Sequence, residues 1–214
     1  MMKLHSYETF EIEMLFSSLE FVISSRYDVT VEVNAKKLFD FSKEHELSFF
    51  NCCVAAVYKT IEDIPEFKKY VVNGEGRQYS QTNVVLPLPK ADNTTQDVCI
   101  ESLDDYKSFK EWDEALNALK AGIEEAEPVY DENSSEYPIA VLSCLPWLPF
   151  TSFHNITFSS NIYSQSVHWG KYEDGKMPVT LTANHDFIEG YHFCLFYEIL
   201  GEYLENPESI FKEV

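Results

Sequence analysis

The sequence predicts one domain of the α/β class, built as an α+β two-layer sandwich in which a mixed β-sheet carries helices on one side. Three observations predict it. Short runs of β-branched and aromatic residues near both ends of the chain alternate with longer stretches of helical periodicity. Hydrophobic residues make up 45% of the chain and aromatic ones 15%, enough for a substantial core and unlike a disordered chain. No Gly/Ser-rich or Pro-rich linker and no internal repeat divides residues 1–214, so they read as a single unit.

Taken in order, the apolar stretches between about Thr9 and Val33 read as two or three strands. Asn34 is placed to cap a helix over 35–47, and a more apolar helix follows over 49–61, stopped near Asp63 by Pro65. The pair Asn73-Gly74 signals a turn, and 78–88 reads as strand beyond it. Tyr106, Phe109, Trp112, Leu116, Leu119 and Ile123 recur at steps of three and four, which predicts an amphipathic helix with an acidic solvated face. Strands are then expected over 138–145, 153–159 and 165–172, with an Asp174-Gly175 hairpin turn and a strand over 177–183. A closing helix from Gly190 to about Tyr203 carries Phe193, Phe196, Leu200 and Tyr203 on one face. Strands at both ends with helices between them favour a mixed sheet covered on one side.

The formal charge of -20 makes the protein repel phosphate backbones and anionic membranes, so neither nucleic acid nor a membrane is an expected partner. An anionic ligand would have to be met by a few of the sixteen Lys and Arg residues. Cys52, Cys53, Cys99, Cys144 and Cys194 are odd in number and lack a CxxC spacing, which points to a reducing compartment. The N-terminus has no basic-then-apolar signal pattern, and no apolar run approaches the roughly 18 residues of a membrane span. A cytoplasmic protein is the expectation.

The junction between the strand over 177–183 and the closing helix holds His185, Glu189 and His192. A histidine with an ordinary pKa of about 6.5 can accept a proton from a hydroxyl at neutral pH, and a strand end aims a side chain while leaving it accessible. If the segment were helical, His185, Glu189 and His192 would share a face and could bind a divalent metal. Gly190 argues for a turn instead, and no HExxH arrangement supplies a glutamate base, so no metal is expected.

Two motifs carry a more specific signal. Ser143-Cys144-Leu145-Pro146-Trp147-Leu148-Pro149-Phe150-Thr151-Ser152-Phe153 resembles the chloramphenicol acetyltransferase family pattern of Ser, Leu-Pro-Trp and Phe-x-Ser-Phe. The run from His185 to His192 is similar to that family's His-x-x-x-Asp-Gly-Phe-His signature, and Gly170-Lys171-Tyr172 lies between them where the family often has Lys-Tyr. The segment 64–75 also resembles a family stretch of Pro-Glu-Phe, basic residues and a turn.

The resemblance implies direct transfer of an acetyl group from acetyl-CoA, a co-substrate, to a hydroxyl of chloramphenicol or a similar small molecule, with no permanently bound cofactor. It implies that His185 is the general base, that Ser143 donates to the oxyanion and that Glu189 supports the catalytic corner. It places Lys171 and Tyr172 at the coenzyme, and it implies a homotrimer with sites between subunits. Trp147 and Phe153 read as core or pocket wall.

The chain departs from the pattern in four places. Glu189 replaces the family aspartate, Met14 stands where its partner arginine would be, Asn184 occupies the place of a second histidine, and His168 replaces a threonine. Only Arg26 and Arg77 are present as arginines. A buried carboxylate without its cation is costly, so Glu189 must find other donors or sit near water. A different acceptor, or a non-catalytic CoA-binding or assembly protein on this scaffold, are the alternatives.

Overall fold

The computed structural model describes residues 2–12, 18–20, 24–130, 134–155 and 165–211. The elements run β1 (Tyr7–Phe10), β2 (Arg26–Asn34), α1 (Lys36–Glu44), α2 (Phe49–Glu62), β3 (Lys69–Val72), β4 (Glu75–Tyr79), β5 (Asn83–Pro89) and β6 (Thr95–Ile100). They continue with α3 (Phe109–Ala121), β7 (Ile139–Cys144), β8 (Gln165–Trp169), β9 (Lys176–Asn184) and α4 (Gly190–Glu205). Six strands form a mixed sheet in the order β2-β9-β8-β7-β5-β6, parallel between β8, β7 and β5 and antiparallel elsewhere.

Local chemistry sets most of these boundaries. The Asn34 side chain accepts from the backbone N–H of Lys36 at 3.1 Å, Ser48 caps α2 by accepting from Asn51, and Ser108 caps α3 by accepting from Glu111. Asp174 and Gly175, both at positive φ, close the turn into β9, as Asn73 and Gly74 do between β3 and β4.

One face of the six-stranded sheet is apolar and one is largely polar. Tyr27, Val29 and Val31 on β2, Leu181 and Ala183 on β9, Val167 on β8, Leu142 on β7 and Leu86 on β5 pack against α1 to α4 in one core. Trp112, Phe67 and Phe196 are among its fully buried side chains. α2 is apolar nearly all round and lies at its centre, as a fully buried helix must.

The expected architecture of a mixed sheet covered by helices is the observed one. Three elements differ. The stretch 78–88 is two strands in different sheets, because Ser80–Thr82 break the ladder between β4 and β5. β1, β4 and β3 form a separate three-stranded sheet that no local pattern announced, since its strands have at most five residues. β6, half polar in sequence, is a strand because it pairs with β5 along six residues. Of the strand expected over 153–159, residues 153–155 are irregular and the rest lies outside the described residues, as do residues 13–17 and 21–23 of the strands expected before Val33. Among the described residues no helix is long and apolar enough to cross a membrane.

Candidate active site

β9 ends at Asn184, and His185 begins the turn that leads to α4. The corner is held on several sides. The His185 backbone N–H donates to the Ser25 carbonyl at 2.8 Å, and the Ser25 hydroxyl donates to Asp186 at 2.9 Å. The Ile188 N–H donates to the Asn184 carbonyl at 3.0 Å, while the Ile188 carbonyl accepts from the Tyr27 hydroxyl at 2.7 Å. The Tyr27 ring lies 4.9 Å from the His185 ring, tilted by 31°, and 4.5 Å from Phe193. Burial first, and then the nearby Glu189, push the Tyr27 phenol up to about 12. It therefore stays a neutral donor beneath the imidazole. Tyr27 carried no motif, and only the strand register that sets it opposite Ala183 brings it to the site.

Glu189 is the N-cap of α4, and a reciprocal capping box ties it to His192. The Glu189 carboxylate accepts from the His192 N–H, and the Glu189 N–H donates to His192 Nδ1 at 2.9 Å. The His192 proton is thereby placed on Nε2, which lies 3.8 Å from Glu66 in the turn that follows α2. Glu189 Oε2 lies 3.6 Å from His185 Nδ1, too long for a hydrogen bond and close enough for electrostatic attraction to an imidazolium. The carboxylate is 59% exposed, so its missing arginine is replaced by helix capping and solvent. Met14 lies outside the described residues. Arg26 sits opposite Asn184 on β2, where burial pushes its guanidinium pKa down, and Arg77 bonds Glu75 at 2.6 Å on the separate sheet. His185, Glu189 and His192 do not share a helical face, and among the described residues no group of three His, Cys, Asp or Glu side chains is gathered for a metal.

Ser143 is half-buried on β7, directly opposite His168 on β8, which in turn faces Thr180 on β9. Two strand spacings and five residues along β9 separate Ser143 from His185, about 20 Å in all. The two also belong to opposite sides of the sheet. Ser143 alternates with the core residue Leu142, whereas His185 continues the core-side series of Leu181 and Ala183. One protomer does not bring them together.

Lys171 follows β8, and its ammonium bonds Glu173 at 2.6 Å on the surface. Its backbone N–H donates to the Leu148 carbonyl at 2.9 Å, which sets it beside the 145–148 turn and the 77% exposed Trp147. Trp147 is not a core residue. Tyr172 stacks on Phe39 at 4.5 Å and meets Phe49 edge-on at 5.2 Å, so its ring packs on the helical layer. Gly170 lets this corner close, since a Cβ there would come within 2.5 Å of the Leu148 carbonyl.

On the same face as Ser143, His168 is 6% exposed and stacks on Phe153 at 4.3 Å. Burial, with Arg26 adding to it and Asp28 opposing it, pushes its imidazole down to about 4. The folded state thus favours neutral His168. The drop from 6.5 to about 4 corresponds to roughly 3 kcal/mol, present above pH 6.5 and lost as the pH falls toward 4. The thermal midpoint is therefore expected to fall over that interval in the wild type and to fall less in His168→Asn, measured by scanning calorimetry at each pH.

Comparison with known proteins gives the family and the fold. The family model described as chloramphenicol acetyltransferase matches residues 5–200. A chloramphenicol acetyltransferase of Bacillus pumilus is 23% identical over 199 residues, covering 86% of this chain and 84% of the relative. A solved chloramphenicol acetyltransferase superposes with a TM-score of 0.78 at 22% identity, covering 93% of this chain and all of that one. The dihydrolipoamide acetyltransferase of Azotobacter vinelandii superposes with a TM-score of 0.68 at 14% identity, over 86% of this chain and 83% of that one. The match along nearly the whole chain, with the serine and histidine motifs inside it, places this protein in the chloramphenicol acetyltransferase family of acyltransferases.

Proposed function

We propose that the protein transfers the acetyl group of acetyl-CoA to a hydroxyl of chloramphenicol or a similar small molecule, in the cytoplasm, as a homotrimer. The observation that carries this reading is the His185 corner, where an imidazole at a strand end is held by its backbone, by the Tyr27 ring and by a capped helix. His185 Nδ1 faces the Glu189 carboxylate, so Nε2 is the nitrogen that takes the acceptor's proton. The acceptor oxygen attacks the thioester carbonyl, and the tetrahedral oxyanion takes a hydrogen bond from Ser143. The intermediate expels the coenzyme thiolate, which recovers the proton from His185, and ester and thiol leave with no acyl-enzyme formed. Lys171 meets the coenzyme phosphates, the exposed Trp147 gives an apolar surface beside it, and Tyr172 holds that corner against Phe39 and Phe49.

The 20 Å between Ser143 and His185 supports a site at a subunit interface, with His185 from one protomer and Ser143 from the next. Mixed trimers test it. His185→Ala and Ser143→Ala proteins are each inactive or nearly so, but co-refolded at equal amounts they should recover about one quarter of the wild-type sites, wherever intact halves meet. The assay is chloramphenicol-dependent thiol release from acetyl-CoA. No recovery would place both residues within one protomer's site, and release with other alcohols but not with chloramphenicol would change the acceptor.

A further inference from the structure

We propose that His192 is a positioning residue for His185: by accepting the N–H of Glu189 it fixes the peptide that joins Ile188 to Glu189, and that peptide sets both Tyr27 and the Glu189 carboxylate against the imidazole. The inference rests on the reading of His185 as the general base and adds the residue that keeps the groups around it in place. One peptide group is gripped at both ends. Its carbonyl, on Ile188, accepts from the Tyr27 hydroxyl at 2.7 Å, and its N–H, on Glu189, donates to His192 Nδ1 at 2.9 Å. Beyond the first bond the Tyr27 ring lies 4.9 Å from the His185 ring, and beyond the second Glu189 Oε2 lies 3.6 Å from His185 Nδ1. A planar amide engaged on both sides cannot turn without breaking one of its bonds, and each bond polarises the other.

His192 is needed because of where this peptide stands. Upstream, packing fixes the turn: Phe187 sits against Tyr70, Val72 and Tyr79 of the small sheet and meets Phe10 edge-on at 5.7 Å. Downstream, α4 fixes itself by its own ladder. Glu189 is the joint between them, with extended backbone at φ -87° and ψ 168°, and as N-cap its N–H has no partner inside the helix. The His192 ring supplies that partner, and it is held in the state that can do so. Only an imidazole with its proton on Nε2 accepts at Nδ1, and Glu66 Oε2 lies 3.8 Å from Nε2. The other Glu66 oxygen lies 3.7 Å from the Lys69 ammonium, which keeps the carboxylate on that side. The direction in which Glu189 presents its exposed carboxylate follows from its backbone, so the His192 ring governs a charge next to the base without touching the base itself.

His192→Leu and His192→Asn test this. Leucine removes the acceptor, whereas asparagine offers its amide oxygen at the same branch of the side chain as Nδ1. With acetyl-CoA and chloramphenicol, His192→Leu should lower kcat roughly 10-fold and leave both KM values within about two-fold, while His192→Asn stays within about three-fold of the wild type. Ring-nitrogen NMR of His185 without substrate reads the effect apart from turnover. Its resonances should shift in His192→Leu, where Tyr27 and Glu189 are released, and stay in place in His192→Asn. An unchanged kcat in the leucine variant, an equal loss in both variants, or a raised KM at unchanged kcat would overturn the proposal and leave the acetyltransferase reading intact. If the wild type acetylates no alcohol, that reading fails and the NMR alone decides about His192: His185 resonances that do not move in His192→Leu overturn the positioning role.

Discussion

His185→Ala is expected to slow acetyl transfer by roughly 10²- to 10⁴-fold, the range that a positioned general base contributes. The loss should fall on kcat, with the KM for acetyl-CoA nearly unchanged, because in the proposed mechanism the imidazole acts on the proton of the acceptor. The fold should survive the change. The contact that anchors the corner is the backbone N–H of residue 185 to the Ser25 carbonyl, which alanine keeps, and the imidazole itself is 37% exposed. Circular dichroism and an oligomer mass equal to that of the wild type control for folding, and thiol release from acetyl-CoA reads the chemistry. A variant that keeps its rate would remove His185 from the mechanism.

Ser143→Ala is expected to lower kcat by about 10²- to 10³-fold, the effect of removing one hydrogen-bond donor to a developing oxyanion. Ser143 sits half-buried on a strand whose neighbours pair on both sides, so its hydroxyl is carried on a rigid element and is aimed before substrate arrives. Loss of the hydroxyl leaves the ladder in place, and stability should change by less than about 1 kcal/mol. The double variant with His185→Ala should be little slower than His185→Ala alone, because residues serving one transition state are not additive. A change in KM without a change in kcat would instead make Ser143 a binding residue.

Glu189 shows how a lost ion pair can be replaced. With Met14 at the position matched to the family arginine, the carboxylate would lack its cation, yet as N-cap of α4 it accepts a backbone N–H and exchanges a second hydrogen bond with His192. An exposed capping carboxylate needs no arginine, because backbone N–H groups at a helix start carry partial positive charge. Glu66 links this cap to the turn after α2, so the segment 64–75, which resembles the family in sequence, touches the catalytic corner through His192.

Much of this was readable from the sequence, where short-range chemistry decides. The caps at Ser48 and Ser108, the turns at Asn73-Gly74 and Asp174-Gly175, and the periodic faces of α3 and α4 each depend on residues within a few positions of one another, whereas Asn34, expected to cap α1, lies one residue before its N-cap Ala35 and bonds Lys36 in a turn. The positions of Ser143 and His185 in their motifs were likewise legible. Strand pairing was not. β6 and the β1-β4-β3 sheet are stabilised by partners distant along the chain, and their own residues barely favour a strand. The same long-range register placed Tyr27 under His185 and His168 beside Ser143, and it set Ser143 and His185 about 20 Å apart on opposite faces. The sequence by itself determined where the serine and histidine motifs of the family lie in this chain, because a motif is a local pattern of chemistry. The tertiary structure alone decided which of them meet, because hydrogen-bonded register between strands is set by burial across the whole sheet and not by neighbours in the chain.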